Sequence, residues 1–205
     1  MYTKRVQYAI DHFIKENYFL PEKKYYELKE KDHSGKSLLK LTINGLNICI
    51  EDYDDKIRCG FLREGKQFGM KKCIDHFVLI ENGAVWDLYM FEMKSGVGNK
   101  TWVDIKSKLR SSFLNIKALC VFLGIALGEV YACTTYEEEK FVTVQNNADP
   151  KTILAALGKK AIDFKKDEWD KGQITIDLGV DVIFPHKALQ MERKDVLGLV
   201  GELTI

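Results

Sequence analysis

Two apolar runs, residues 75–80 and 84–91, flank Asn82-Gly83 in the stretch CIDHFVLIENGAVWDLYMFEMKSG, residues 73–96. Asn-Gly between strand-like runs is the strongest short-range hairpin signal, because a two-residue type I′ turn needs φ > 0 at both central positions. With Asn82 and Gly83 as the turn, Ile80 faces Val85 and Asp75 faces Met90. Side chains alternate along a strand, so Met90, Glu92 and Lys94 share the face of Asp75. Asp75 and Glu92 become diagonal cross-strand neighbours, within reach of each other. One end of an apolar hairpin thereby gathers two carboxylates and an ammonium. Burying such charges is costly unless they pair or bind a cation, so the cluster points to chemistry. The arrangement depends on parity. A three-residue loop, or one bulge between Asp75 and Glu92, would put the two acids on opposite faces.

Asp/Glu-x-Lys on its own says little in a chain that is 30% charged. It recurs at Glu22, Glu27, Asp54, Glu64, Asp104, Glu138, Asp163 and Glu192, mostly in charge-rich stretches that read as solvated faces. Only Glu92-Met93-Lys94 closes a long apolar strand whose partner begins with an acid. The bland alternative is a Glu–Lys pair at a strand end.

An acid opening one strand, Glu-x-Lys closing the next, then a helix and a strand: this order resembles the PD-(D/E)XK nuclease superfamily, over about residues 56–135. Ile74 stands where that pattern has proline. The resemblance implies a restriction-endonuclease-like core and metal-dependent hydrolysis of phosphodiester bonds, in DNA more than RNA, in restriction, phage defence or repair. It implies that Asp75 and Glu92, with the Met93 carbonyl, ligate Mg²⁺ or Mn²⁺, and that Lys94 orients or deprotonates the attacking water. No subfamily follows. Several families place a glutamine on the next helix, where Arg110 or Ser111 stands. Others draw a further acid from the first helix, where Asp11 and Glu16 stand. Two rivals remain open: a binding module that keeps the fold without hydrolysis, and an unrelated α+β protein whose charged triplet is accidental.

At 205 residues and 46% hydrophobic content, one well-packed domain over residues 1–205 suffices. The expected class is α+β and α/β/α-like: a central mixed, largely antiparallel sheet flanked by helices. Its core covers about residues 38–135, with a C-terminal elaboration over about 136–205. Five scattered cysteines without a CxxC suit buried thiols in a reducing cytoplasm, and four dispersed histidines argue against zinc. No apolar segment approaches the ~18–20 residues that span a bilayer, and the start of the chain lacks a signal-peptide pattern. A net charge of +1 means that nucleic-acid binding must come from local asymmetry. A homodimer or larger complex stays open.

Along the chain, residues 4–19 read as an amphipathic helix with Val6, Ile10, Phe13 and Ile14 inward. Residues 21–37 read as a charged connector. Residues 38–51 read as a hairpin about Asn44-Gly45, with Leu39, Leu41, Ile43, Leu46, Ile48 and Ile50 on its dry face. The acidic run from Glu51 to Asp55 reads as a surface turn, residues 56–62 as a third strand, and residues 63–72 as a basic loop. In that loop Lys66, Lys71 and Lys72 suit phosphate positioning, with simple solvation as the alternative. Thr101 with Asp104 resembles a capping box for a helix over 101–123. Ile105, Leu109, Ile116, Cys120 and Leu123 form its apolar stripe. Lys106, Arg110 and Lys117 form a basic stripe beside it, and with Lys100 these residues suit a phosphate backbone or plain solubility. A strand at 129–135 follows, then a solvated turn at Glu137-Glu138-Glu139 and a strand at 141–145. A helix at 151–158, strands at 174–178 and 180–184, and a terminal helix at 190–203 complete the expectation. Trp169, among acids and lysines, reads as a packing residue, with stacking on a base as the alternative.

Overall fold

The structure, a computed structural model, describes residues 1–32, 35–53, 70, 72–141 and 160–205. The described residues form a mixed α and β architecture of three helices and twelve strands. The helices are α1 (Lys4–Phe13), α2 (Asn99–Leu123) and α3 (Lys160–Asp170). The strands are β1 (Tyr25–Asp32), β2 (Gly35–Thr42), β3 (Asn47–Ile50), β4 (His76–Asn82), β5 (Val85–Met93), β6 (Gly96–Val97), β7 (Leu127–Tyr136), β8 (Glu138–Glu139), β9 (Gln173–Asp177), β10 (Asp181–Gln190), β11 (Glu192–Lys194) and β12 (Gly198–Thr204). Among the described residues no helix is long and apolar enough to cross a membrane. The expected strand at 56–62, most of the 63–72 loop, the helix at 151–158 and all but the first residue of 141–145 lie outside the described residues.

The central sheet has the order β3-β4-β5-β7-β10-β9. β3–β4, β4–β5 and β10–β9 run antiparallel, whereas β5–β7 and β7–β10 run parallel. Parallel neighbours need a crossover, and α2 supplies it between β5 and β7. One face of this sheet packs against the helices. Ile50, Phe77, Leu79, Leu88, Met90 and Ala132 meet Val6 and Ala9 of α1, Ile105, Leu109 and Ile116 of α2, and Trp169 of α3. A second sheet, β1-β2-β12-β11, covers the other face. There Leu28, Leu39 and Leu41 meet Val78, Phe91, Met93 and Cys133. The layers are therefore helices, sheet and sheet, and the expected second helical layer is replaced by strands.

Several expectations give way to this second sheet. Residues 38–51 are not a hairpin: β2 pairs with β1 and β12, while β3 pairs with β4. Asn44 and Gly45 instead pass the chain from one sheet to the other, with the Asn44 N–H donating to Ile205 O and the Glu81 N–H to Leu46 O. The charged connector contains β1, whose Tyr26 and Leu28 point inward while Glu27 and Lys29 face solvent. The terminal helix is also absent. Gly198 has φ +80, a left-handed conformation that opens β12, and β12 lies parallel to β2. The triple-glutamate turn is tied down. Glu138 and Glu139 form a short parallel pair with β6, and Glu137 takes a two-pronged hydrogen bond from Arg193 at 2.7 and 2.5 Å.

The helices are shorter or longer than their patterns. α1 stops at Phe13, with Ile14 extended and Asn17 at φ +59, and Phe13 is 54% exposed rather than inward. α2 starts at Asn99 with Gly98 as its N-cap, so Thr101 lies inside the helix and caps nothing. Asp104 pairs with Lys72 instead. The apolar stripe holds at all five positions, each of them buried. α2 ends where Gly124 takes φ +71 and its N–H closes on Val121 O, a left-handed C-cap. α3 docks through Trp169, which packs edge-on against Trp102 at 5.4 Å and donates its ring N–H to Glu139. Packing is thus the role of Trp169.

His186 sits in this aromatic cluster, 4.9 Å from Trp102 and 5.0 Å from Trp169. Its Nε2 lies 3.0 Å from Thr134 Oγ1, and its Nδ1 has no hydrogen-bond partner among the described residues. Burial pulls its pKa from 6.5 down to about 4, against a smaller upward pull from Glu168. The unfolded chain then binds the extra proton between those values, so stability is full above pH 6.5 and falls as pH drops toward 4. A loss of up to about 3 kcal/mol is expected across this window. Urea unfolding of wild type and His186→Gln at a series of pH values tests this. The variant should lose much of the pH dependence, and equal slopes would dismiss the assignment.

Candidate functional site

β4 and β5 place the acids. Asn82 pairs with Val85, so the two-residue turn is Gly83-Ala84, one position later than expected, with Gly83 at φ +64. The shift moves each partner by two residues and leaves the parity unchanged. His76 pairs with Phe91, where the ladder ends, and Asp75 lies just beyond it, close enough to Glu92 for the Lys108 ammonium to touch both carboxylates. The Asp75 N–H donates to Phe91 O at 3.2 Å, one residue out of the β4–β5 register. Both acids face α2, on the same side as Trp86, Leu88 and Met90.

Asp75 is 4% exposed and Glu92 fully buried. Asp75 Oδ2 accepts the Met93 N–H at 2.6 Å, which fixes the carboxylate. Glu92 Oε1 meets the ammonium of Lys94 at 2.5 Å and that of Lys108 at 2.7 Å. Lys108 also lies 3.4 Å from Asp75 Oδ1. Among the described residues, Glu92 Oε2 has no hydrogen-bond partner. Burial, then the neighbouring Asp75, pushes the Glu92 pKa up to about 7, while Lys94 and Lys108 pull against it. Burial would lower Lys108, but Glu92 and Asp75 together outweigh it and hold its pKa above the usual lysine range.

Asp75, Glu92, Lys94 and the Met93 main chain are thus brought together, and Lys108 joins them. Lys108 lies in α2 between two positions of the apolar stripe, Ile105 and Leu109. Its signal in sequence was a lysine adjoining a buried face, one turn from Ile105 and facing an acid-bearing strand end. Two serines of α2 also act on the site. Ser112 Oγ accepts the Ile74 N–H at 3.0 Å, and the Ser111 hydroxyl donates to Met70 O. They fasten the segment before β4 to the helix, and thereby Asp75.

The expected nucleic-acid residues divide. Lys66 and Lys71 lie outside the described residues. Lys72 is paired with Asp104, and Lys106 with Glu168 at 2.6 Å. Burial would raise Glu168, but Lys106, the Trp102 ring N–H and the Thr175 N–H outweigh it and hold the carboxyl below its usual range. Arg110 lines a groove of about 550 Å³ with Lys106, Glu168, Asp177 and Asp181, apart from Asp75 and Glu92. Lys100 and Lys117 are exposed, Lys117 lying 5.8 Å over the Phe113 ring. Asp11 and Glu16 are exposed beside a separate hollow bounded by residues 10–19.

Among the described residues no cluster of three or more acidic, histidine or cysteine side chains converges. The donor set is two carboxylates, one of them with an unpartnered buried oxygen. That fits Mg²⁺, which keeps most of its waters and takes one or two carboxylates. No family model, curated protein or solved structure matches the chain.

Ser112→Ala removes the hydrogen-bond acceptor of the buried Ile74 N–H and should cost about 1–3 kcal/mol. Urea unfolding reads that loss, and hydrogen exchange at the Ile74 amide should accelerate. An unchanged midpoint would mean that the serine does not hold this segment.

Proposed function

We propose that the chain is a divalent-metal-dependent nuclease, hydrolysing phosphodiester bonds in DNA more readily than in RNA, on a core of the PD-(D/E)XK type. The observation that carries this is the convergence of Asp75 and Glu92, both within reach of one cation, the Lys108 ammonium. The topology supports it. An acid precedes β4, Glu92-Met93-Lys94 closes β5, α2 follows, and β7 returns parallel to β5.

Asp75 and Glu92, with the Met93 carbonyl, would hold the Mg²⁺ or Mn²⁺, which supplies Lewis-acid polarisation of the phosphate. Asp75 keeps Oδ1 turned into the site because the Met93 N–H holds Oδ2. Glu92 lies at the floor, where the apolar surroundings strengthen every electrostatic contact. Lys94 is the more exposed ammonium, with 27% of its side chain open to solvent. It stands between the buried acids and arriving substrate, where it can orient the attacking water or take its proton. A second reading, a binding module without hydrolysis, draws on Lys108, which already neutralises both acids.

Mg²⁺-dependent nicking of supercoiled plasmid should be abolished by Asp75→Ala, Glu92→Ala or Lys94→Ala in protein whose circular dichroism remains native. Full activity in any one of them removes that residue's role. Binding without cleavage by the wild type would favour the module.

The exposed and the paired lysines should also differ. Lys117→Ala should flatten the salt dependence of DNA binding by about one unit of log–log slope. Lys106→Ala should leave the slope unchanged, because Glu168 already neutralises Lys106. Equal slopes for Lys117→Ala and wild type would return that lysine to a solubilising role.

A further inference from the structure

Two ammonium groups meet one oxygen of Glu92. Lys94 arrives along the same strand and remains partly open to solvent, whereas Lys108 descends from the middle of α2 and keeps only 17% of its side chain exposed. Among the described residues Lys108 alone reaches both acids, at 2.7 Å from Glu92 Oε1 and 3.4 Å from Asp75 Oδ1. A cation equidistant between these carboxylates would therefore overlap the place its Nζ fills.

We propose that Lys108 is a tethered competitor for the divalent-ion position. The Lys108 ammonium and the ion exclude each other, and ion binding releases the side chain from the acids. This rests on the metal-dependent reading above. The charges set the exclusion. With both acids ionised, Asp75 and Glu92 carry two negative charges, and Lys94 and Lys108 balance them. Adding a doubly charged ion while both ammoniums stay would leave like charges a few ångströms apart in a poorly solvated site. Lys94 can turn to solvent from the strand end. Lys108 has four methylenes and a flexible stem, which allow its head group to leave while its backbone stays in the helix. The acid pair then exchanges a single charge for a double one, and a freed ammonium is left beside the place where a phosphate would arrive. Ion and phosphate would consequently favour each other's binding, since the phosphate offers Lys108 a new partner.

The competitor lowers the apparent ion affinity by the fraction of time the acids are uncovered. If Lys108 covers them more than nine-tenths of the time, Lys108→Met should bind Mn²⁺ at least about tenfold more tightly than wild type by titration calorimetry. Asp75→Asn should abolish binding in both backgrounds. An affinity for Lys108→Met equal to or below wild type, with Asp75→Asn still abolishing binding, would overturn the competitor and leave the metal site standing. Binding that ignores Asp75→Asn, or no binding by either protein, would overturn both. A measurement on the unaltered chain covers the case in which Lys108→Met does not fold. Labelling with an amine-reactive ester, read by mass spectrometry, should rise severalfold at Lys108 when Mn²⁺ is added and stay constant at Lys117. Labelling of Lys108 that stays constant or falls would overturn the proposal.

Discussion

A fully buried glutamate is the constraint to which the rest of this structure answers. Removing a carboxylate from water is expensive, and Glu92 recovers part of that loss only from ammonium groups brought to it. One comes along its own strand and the other from α2. The helix must therefore cross the sheet at the height where Lys108 meets Glu92. Ile105 and Leu109 pack on either side of that contact, and Ser111 and Ser112 bind the segment that carries Asp75. Apolar packing alone would tolerate a small slide of α2 over the sheet. The charge contacts penalise such a slide, because it would leave an acid uncompensated in the core. The buried charges thereby constrain where α2 sits on the sheet.

The same helix shows how sequence charge and usable charge differ. Six basic residues between Lys94 and Lys117 read as a cationic surface. In the fold Lys94 and Lys108 serve the acids, and Lys106 serves Glu168 of α3. Long-range pairing, invisible along one helix, decides which cations face solvent.

What the sequence made legible was local. The β4–β5 pairing, the apolar stripe of α2 and the shared face of Asp75 and Glu92 all follow from period and turn chemistry within about fifty residues of chain. The face survived an error in the turn position because moving a two-residue turn by one step preserves parity. What stayed hidden was the competition between partners. Residues 38–43 and 46–51 carry complementary patterns about Asn44-Gly45, yet residues 25–32 and 198–204 also offer edges, and β2 takes both. Tyr26 and Leu28 give β1 only two clear inward positions, too few to stand out in a charged stretch. The run from 190 to 203 has helix-compatible spacing, but Gly198 and Gly201 withhold helix propensity, and the exposed apolar face of the central sheet settles the choice. Lys108 was missed because its one signal, a place beside the apolar stripe of α2, is shared by Lys106 on the same helix.

The parallel pairing of β12 with β2 has a kinetic consequence. Leu199 lies beside Ser37 and Thr204 beside Thr42, so this ladder joins residues whose separation spans most of the chain. Loop closure over such distances is slow, and contacts of this kind dominate folding time. During synthesis, β4, β5 and β7 can assemble with α2 well before residues 198–204 leave the ribosome. β2 would meanwhile hold β1 on one side and present a bare hydrogen-bonding edge on the other. An unpaired edge next to an apolar face is a template for the wrong strand, including the same strand from a neighbouring nascent chain. The last rung of the second sheet is thus also the step that retires this hazard, and the interval before it forms is when the protein is most exposed to misassembly.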